Sequence, residues 1–234
     1  MGGSFQNGQR GDVDKASKKQ RAMETKVFYF NPLRECCYLL WDDSGEAVII
    51  DPGCCGEREF LRLKETVEES GLKPVKILLT HGHFDHIFGL RRCYEAWHPE
   101  VLIHKADIAQ VEHADETADF LGLELQQPAC SFSTVADGDT VRFGESELKV
   151  IATPGHTEGS VCYYDEAGGR LYCGDTLFEG SVGRTDLPGG DYNALQESLR
   201  GRLAVLPDTT EVFPGHGYPT TIGAEKASNP FMRF

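Results

Sequence analysis

The chain has 234 residues, 40% of them hydrophobic and 10% aromatic, enough for one large domain and marginal for two. Its formal net charge is −14, and residues 1–23 hold five basic and only two acidic side chains, leaving 18 basic against 35 acidic residues after them. That balance argues against nucleic acid or an anionic membrane surface as a partner, because both attract cations, and no apolar run approaches the ~18 residues of a membrane span.

Residues 1–23 are rich in Gly, Ser, Gln, Lys and Arg and read as a disordered tail. They lack the apolar centre of a secretory signal. A cytoplasmic location with eight reduced cysteines is therefore expected. The adjacent pairs Cys36-Cys37 and Cys54-Cys55 do not bridge readily, and no Cys-x-x-Cys is present to suggest a zinc ribbon or a redox pair. The folded domain is expected over residues 24–234, with Met23 a candidate for the natural start.

Val27–Phe30, Cys37–Trp41 and Ala47–Ile50 are β-type runs, the last two joined by a hairpin turn at Asp42-Asp43-Ser44-Gly45. The third run ends at Asp51, either a turn former or a group beside a site. Glu57–Ser70 places Phe60, Leu63 and Val67 at helical spacing and ends at Gly71. Val75–Leu79 then reads as a short buried strand. It runs into Thr80-His81-Gly82-His83-Phe84-Asp85-His86, three histidines and one aspartate within six residues. Such groups are costly to bury without partners, so this string points to metal rather than to packing. Ile87–Leu90 is expected to open a helix that Pro99 ends, and Val101–His104 is another strand. The alternation over residues 47–104 predicts α/β layering.

Residues 106–133 are acidic and read as a variable surface insertion with short helical pieces, and His113 as a surface residue. After residue 140 strands and turns dominate: Thr140–Phe143 with Leu148–Ala152, then Val161–Tyr164 with Leu171–Cys173. Asp191 is expected to cap a helix with Leu195, Leu199 and Leu203 on its apolar face, before a last strand at Glu211–Phe213. Three of these strands run into glycine-flanked ligand types: His156 in Thr153-Pro154-Gly155-His156, Asp175 in Gly174-Asp175, and His216 in Gly215-His216-Gly217.

The ordered set His-x-His-x-Asp-His, His, Asp, His resembles the metallo-β-lactamase superfamily over roughly residues 27–234. The resemblance implies an αβ/βα four-layer sandwich of the α/β class with two metal sites at one edge. By residue-wise analogy His81, His83 and His156 hold the first ion, Asp85, His86 and His216 the second, and Asp175 bridges them. Imidazole mixed with carboxylate suits zinc first, then iron or manganese. The run Gly174–Gly190 and the closing Asn229-Pro230-Phe231 are similar to small glyoxalase II-like hydrolases. Only 18 residues follow His216, too few for the helical domain that grips glutathione in full-length glyoxalase II enzymes. The resemblance implies a binuclear hydrolase of an acyl-thiol such as S-lactoylglutathione, a metal-bridged hydroxide attacking the carbonyl while Asp85 orients it. Arg184 is the candidate for a substrate carboxylate, its guanidinium fork matching that group; an Arg184–Asp186 ion pair is the competing role. Two alternatives share the ligand set: a mononuclear iron persulfide dioxygenase and a non-catalytic binding module.

Overall fold

The computed structural model describes residues 23–120 and 122–234. The tail expected before residue 23 lies outside them; Met23 itself is buried.

The chain opens with β1 (Glu24–Phe30), β2 (Glu35–Trp41) and β3 (Glu46–Ile50), which pair antiparallel in sequence order. Gly45 N–H donates to Asp42 O in the hairpin turn between β2 and β3. Helix α1 (Gly56–Glu69) leads to β4 (Lys73–Leu78), and α2 (Leu90–Trp97) leads to β5 (Glu100–His104). Helices α3 (Ile108–Glu112) and α4 (Ala114–Phe120) precede β6 (Phe132–Val135). These strands form one six-stranded sheet in the order β1 to β6, parallel from β3 onward.

A second six-stranded sheet follows. Its strands are β7 (Thr140–Phe143), β8 (Ser146–Ala152), β9 (Val161–Asp165), β10 (Arg170–Gly174), β13 (Glu211–Pro214) and β14 (Thr220–Thr221). A small hairpin, β11 (Leu177–Phe178) and β12 (Ser181–Val182), and helix α5 (Tyr192–Ser198) lie between β10 and β13, and α6 (Ile222–Ser228) follows β14.

Strand alternation sorts the apolar side chains into three layers. In β2, Tyr38 and Leu40 face the second sheet, where they meet Val150, Val161 and Tyr163; Cys37 and Leu39 face outward onto Phe60, Leu63 and Val67 of α1. In β9, Val161 and Tyr163 face the first sheet, and Cys162 and Tyr164 face Leu195, Leu199 and Leu203. The result is helix, sheet, sheet, helix, the expected four-layer sandwich. Each fully buried Leu or Ile in it contributes about 1.5–3 kcal/mol.

Two expectations are corrected. The helix after the histidine motif starts at Leu90, not Ile87, because Gly89 N–H is taken by Pro52 O in a turn. Residues 106–133 are not a mere surface insertion: Val111, Ala114, Ala118 and Leu125 are buried in the outer core, and Phe132 begins β6. The small alanines carry that buried face at helical spacing, which acidic neighbours mask in the sequence. Helix α6 was not foreseen. All eight cysteines are free thiols, as expected.

Candidate metal centre

Topology alone sends the ligand types to one edge. Strands β8, β10 and β13 run in the same direction, since β9 is antiparallel to β8 and β10, and β13 is parallel to β10. Their ends therefore deliver His156, Asp175 and His216 to the same side. Two buried tyrosines bolt the sheets together there: Tyr163 Oη donates to Leu79 O at 3.0 Å, and Tyr38 Oη to Pro214 O at 2.6 Å. Val161 N–H donates to Thr80 O at 2.9 Å, so the histidine motif of one sheet meets the ligand-bearing ends of the other.

All seven predicted ligand residues converge. One ligand atom from each of His81, His83 and His156 lies within 4.8 Å of the others, and the same holds for Asp85, His86 and His216. Asp175 stands between these triads. Its Oδ2 is 3.5 Å from His156 Nε2 and 3.7 Å from His216 Nε2, and its Oδ1 is 3.4 Å from His86 Nε2. Asp85 Oδ2 is 3.2 Å from His216 Nε2.

The hydrogen-bond network assigns the tautomers. His81 Nδ1 faces Thr80 Oγ1 at 3.0 Å, His86 Nδ1 faces Asp51 Oδ2 at 3.0 Å, His156 Nδ1 faces Arg184 O at 2.8 Å, and His216 Nδ1 faces Leu33 O at 3.1 Å. Each of these acceptors takes the Nδ1 hydrogen and leaves Nε2 aimed inward, a lone pair wherever the ring is neutral. His83 differs: its Nδ1 faces His156 Nε2 at 2.8 Å, two acceptor-type atoms competing for one hydrogen.

These groups fit a pair of cations. His81 Nε2, His86 Nε2 and Asp175 Oδ1 are buried without a hydrogen-bond partner among the described residues, a costly state that ligation relieves. Electrostatics agree. Burial and the surrounding imidazoles hold His81 well below its ordinary value and push His83 down to about 4, so both are neutral donors at neutral pH. Burial opposes the charged forms of Asp175 and His86. It is outweighed by their mutual attraction and by the other ligands: Asp175 is held well below the carboxylate range and His86 well above the imidazole range. Four of the seven groups come from one short segment, so the sequence string and the spatial cluster coincide.

The surrounding residues were less legible. Asp51 is the group beside the site rather than a turn former alone. Its Oδ1 accepts from Thr80 N–H at 2.8 Å, and its Oδ2 from Thr80 Oγ1 at 2.6 Å and from His86. Its carboxylate is thereby engaged as an acceptor behind both triads. Asn31, unforeseen, donates from Nδ2 to the main-chain oxygens of Asp85 and Gly53. Buried Glu35, also unforeseen, has no hydrogen-bond partner for either carboxyl oxygen among the described residues; burial, with Asp51 and Asp85, pushes it well above the usual carboxylate range despite nearby His86. Asp107 is buried between the His81–His83 and His156 loops and carries no spacing signal in its acidic surroundings.

Arg184 lies at the margin. Its exposed guanidinium makes two hydrogen bonds to the Asp186 carboxylate, at 2.7 and 2.8 Å, while its main-chain oxygen holds His156. His113 is exposed and pairs with Glu116, as expected of a surface residue. No helix among the described residues is long and apolar enough to cross a membrane.

Residues 32–216 match the family model of the metallo-beta-lactamase superfamily. The chain is 35% identical to the hydroxyacylglutathione hydrolase GloC of Haemophilus influenzae, over 90% of this chain and 98% of that one. Among solved structures, TTHA1623 in a di-iron-bound form is 41% identical with a TM-score of 0.79, covering 88% of this chain and 99% of that one. The BLEG-1 B3 metallo-beta-lactamase is 33% identical with a TM-score of 0.82, covering 90% and 100%. The matched span, the sandwich and the converging histidines and aspartates together show that this chain belongs to the metallo-β-lactamase superfamily.

Proposed function

We propose that this metallohydrolase-family chain cleaves a thioester of the S-lactoylglutathione type, using two divalent ions, with zinc as the first choice and iron or manganese as alternatives. The observation that carries the reading is Asp175, whose two oxygens lie between two preformed triads. His81, His83 and His156 would hold one ion, and Asp85, His86 and His216 the other. Bound there, the ions supply Lewis acidity and lower the pKa of water towards neutrality.

The chain's own groups do the rest. Asp85, close to His216 Nε2, is placed to orient the nucleophilic water. Thr80, Asp51, Arg184 O and Leu33 O fix four imidazoles so that their Nε2 atoms converge. The Nδ1 hydrogens of these four rings are all engaged, so none of them has a proton there for a leaving amine. A leaving thiolate, with a reference pKa of about 8.5, departs without one. That favours thioesters over amides. The likeness to GloC supports the same substrate class. Arg184 is proposed to meet a substrate carboxylate once Asp186 yields its fork. A small acyl-thiol is the only partner this reading requires, with neither nucleic acid nor membrane.

The test is thiol release from S-lactoylglutathione and other acyl-thiols, and ring opening of a β-lactam, by zinc-reconstituted protein, with Asp175→Ala alongside. Thioester cleavage that Asp175→Ala abolishes supports the reading. Preferred cleavage of the lactam, or full activity and two ions in Asp175→Ala, would contradict it.

A further inference from the structure

One side chain outside the proposed ligand set bridges the two loops that carry the first triad. Asp107, 2% exposed, accepts from three donors. Its Oδ2 takes Gly82 N–H at 2.9 Å and Thr157 Oγ1 at 2.7 Å, and its Oδ1 takes Gly159 N–H at 2.7 Å. Gly82 separates His81 from His83, and Thr157 directly follows His156. A Cβ on Gly159 would stand 2.4 Å from Asp107 Oδ1, so this loop approaches as closely as a backbone can.

Among the described residues no Lys or Arg pairs with this carboxylate. A buried carboxylate without a Lys or Arg partner is costly, and burial pushes Asp107 up against the pull of its three donors and of nearby His104. Packing does not need such a group, because an apolar side chain fills the volume without the penalty. What an apolar side chain cannot do is hold two separate loops at a fixed distance. The second triad is held by other groups: Asp51 on His86, Asn31 on the Asp85 main chain, and Leu33 O on His216.

We propose that Asp107 is a positioning residue for one ion only: it sets the spacing of the His81–His83 loop against His156 and thereby tunes affinity at that triad. This rests on the two-ion reading above. Partners outside the ligand shell typically change metal affinity by about 10–100-fold when removed, and that range is expected here for one binding step of two.

The test titrates zinc into metal-free full-length protein against a chromophoric chelator. His83→Ala and His216→Ala identify which step belongs to which triad. Asp107→Asn should weaken the step lost in His83→Ala and leave the step lost in His216→Ala in place. Thr157→Val should weaken the same step, and Thr157→Ser, which keeps the hydroxyl, should restore it. Equal weakening of both steps, weakening of neither, or Thr157→Ser behaving like Thr157→Val would overturn the proposal. Should Asp107→Asn fail to fold, the Thr157 pair decides. A wild-type chain that takes up one zinc sinks the two-ion reading alone, and the same substitutions then decide the Asp107 claim on that single step.

Discussion

Asp51→Asn isolates orientation from ligation, because Asp51 bonds to the His86 ring and to Thr80 and is not one of the seven proposed ligands. Its two oxygens serve three buried donors: Thr80 N–H, Thr80 Oγ1 and His86 Nδ1. An amide supplies one acceptor atom in place of two. With its oxygen on Thr80 N–H, the amide nitrogen faces Thr80 Oγ1 and His86 Nδ1, and His86 must give up its Nδ1 hydrogen to avoid a donor–donor contact. With the amide turned over, Thr80 N–H is left unpaired. A buried donor without a partner costs about 1–3 kcal/mol. For a chain of this length each kcal/mol moves the thermal midpoint by roughly 2–4 °C, so metal-free Asp51→Asn should melt about 2–12 °C below wild type. Zinc affinity at the His86 triad should fall about 10–100-fold. Calorimetry of the metal-free protein and chelator competition read these two effects separately. Wild-type stability together with two wild-type zinc affinities would refute the orienting role.

Asp42 provides a pH test far from the metal centre. Burial opposes its charge, but hydrogen bonds from Ser44, Ser146 and Glu145 outweigh it and hold its carboxyl below the reference value of 3.8. A depressed folded pKa adds stability above pH 3.8 that is lost as pH falls through the folded value. In urea unfolding the deficit of Asp42→Asn should therefore be present at neutral pH and shrink on acidification below that point; a deficit constant with pH would contradict the assignment. Gly155 has φ +140°, and an added Cβ would stand 2.3 Å from Leu195 N. Gly155→Ala should displace the His156 loop, lowering both the thermal midpoint and the zinc affinity of the first triad. For Arg184→Ala, two bound zinc ions and little change in melting are expected, because His156 uses the main-chain oxygen. Its KM for an anionic thioester should rise while kcat holds; an unchanged KM would remove Arg184 from substrate binding.

The seven ligand types were legible because each follows a strand and sits in a short string rich in glycine. The layers were legible from alternation, as in Tyr38 and Leu40 against Cys37 and Leu39. Asp107 was hidden because it is one acid among many, and only the fold brings it to Gly82 and Gly159. Asn31 and Glu35 were hidden for a related reason: the tight turn they bracket, with Asn31 and Arg34 at positive φ, carries no glycine or ligand motif. The helices over residues 108–120 were obscured by alanines, which mark a buried face far more weakly than leucines do.

The central claim is that two ions act together across Asp175. Zinc added stepwise to metal-free protein, with lactoylglutathione hydrolysis followed at each step, tests it most directly. Activity should rise to a plateau at two equivalents per chain. A plateau at one equivalent per chain, or a fully zinc-loaded chain that leaves the thioester intact, would contradict it.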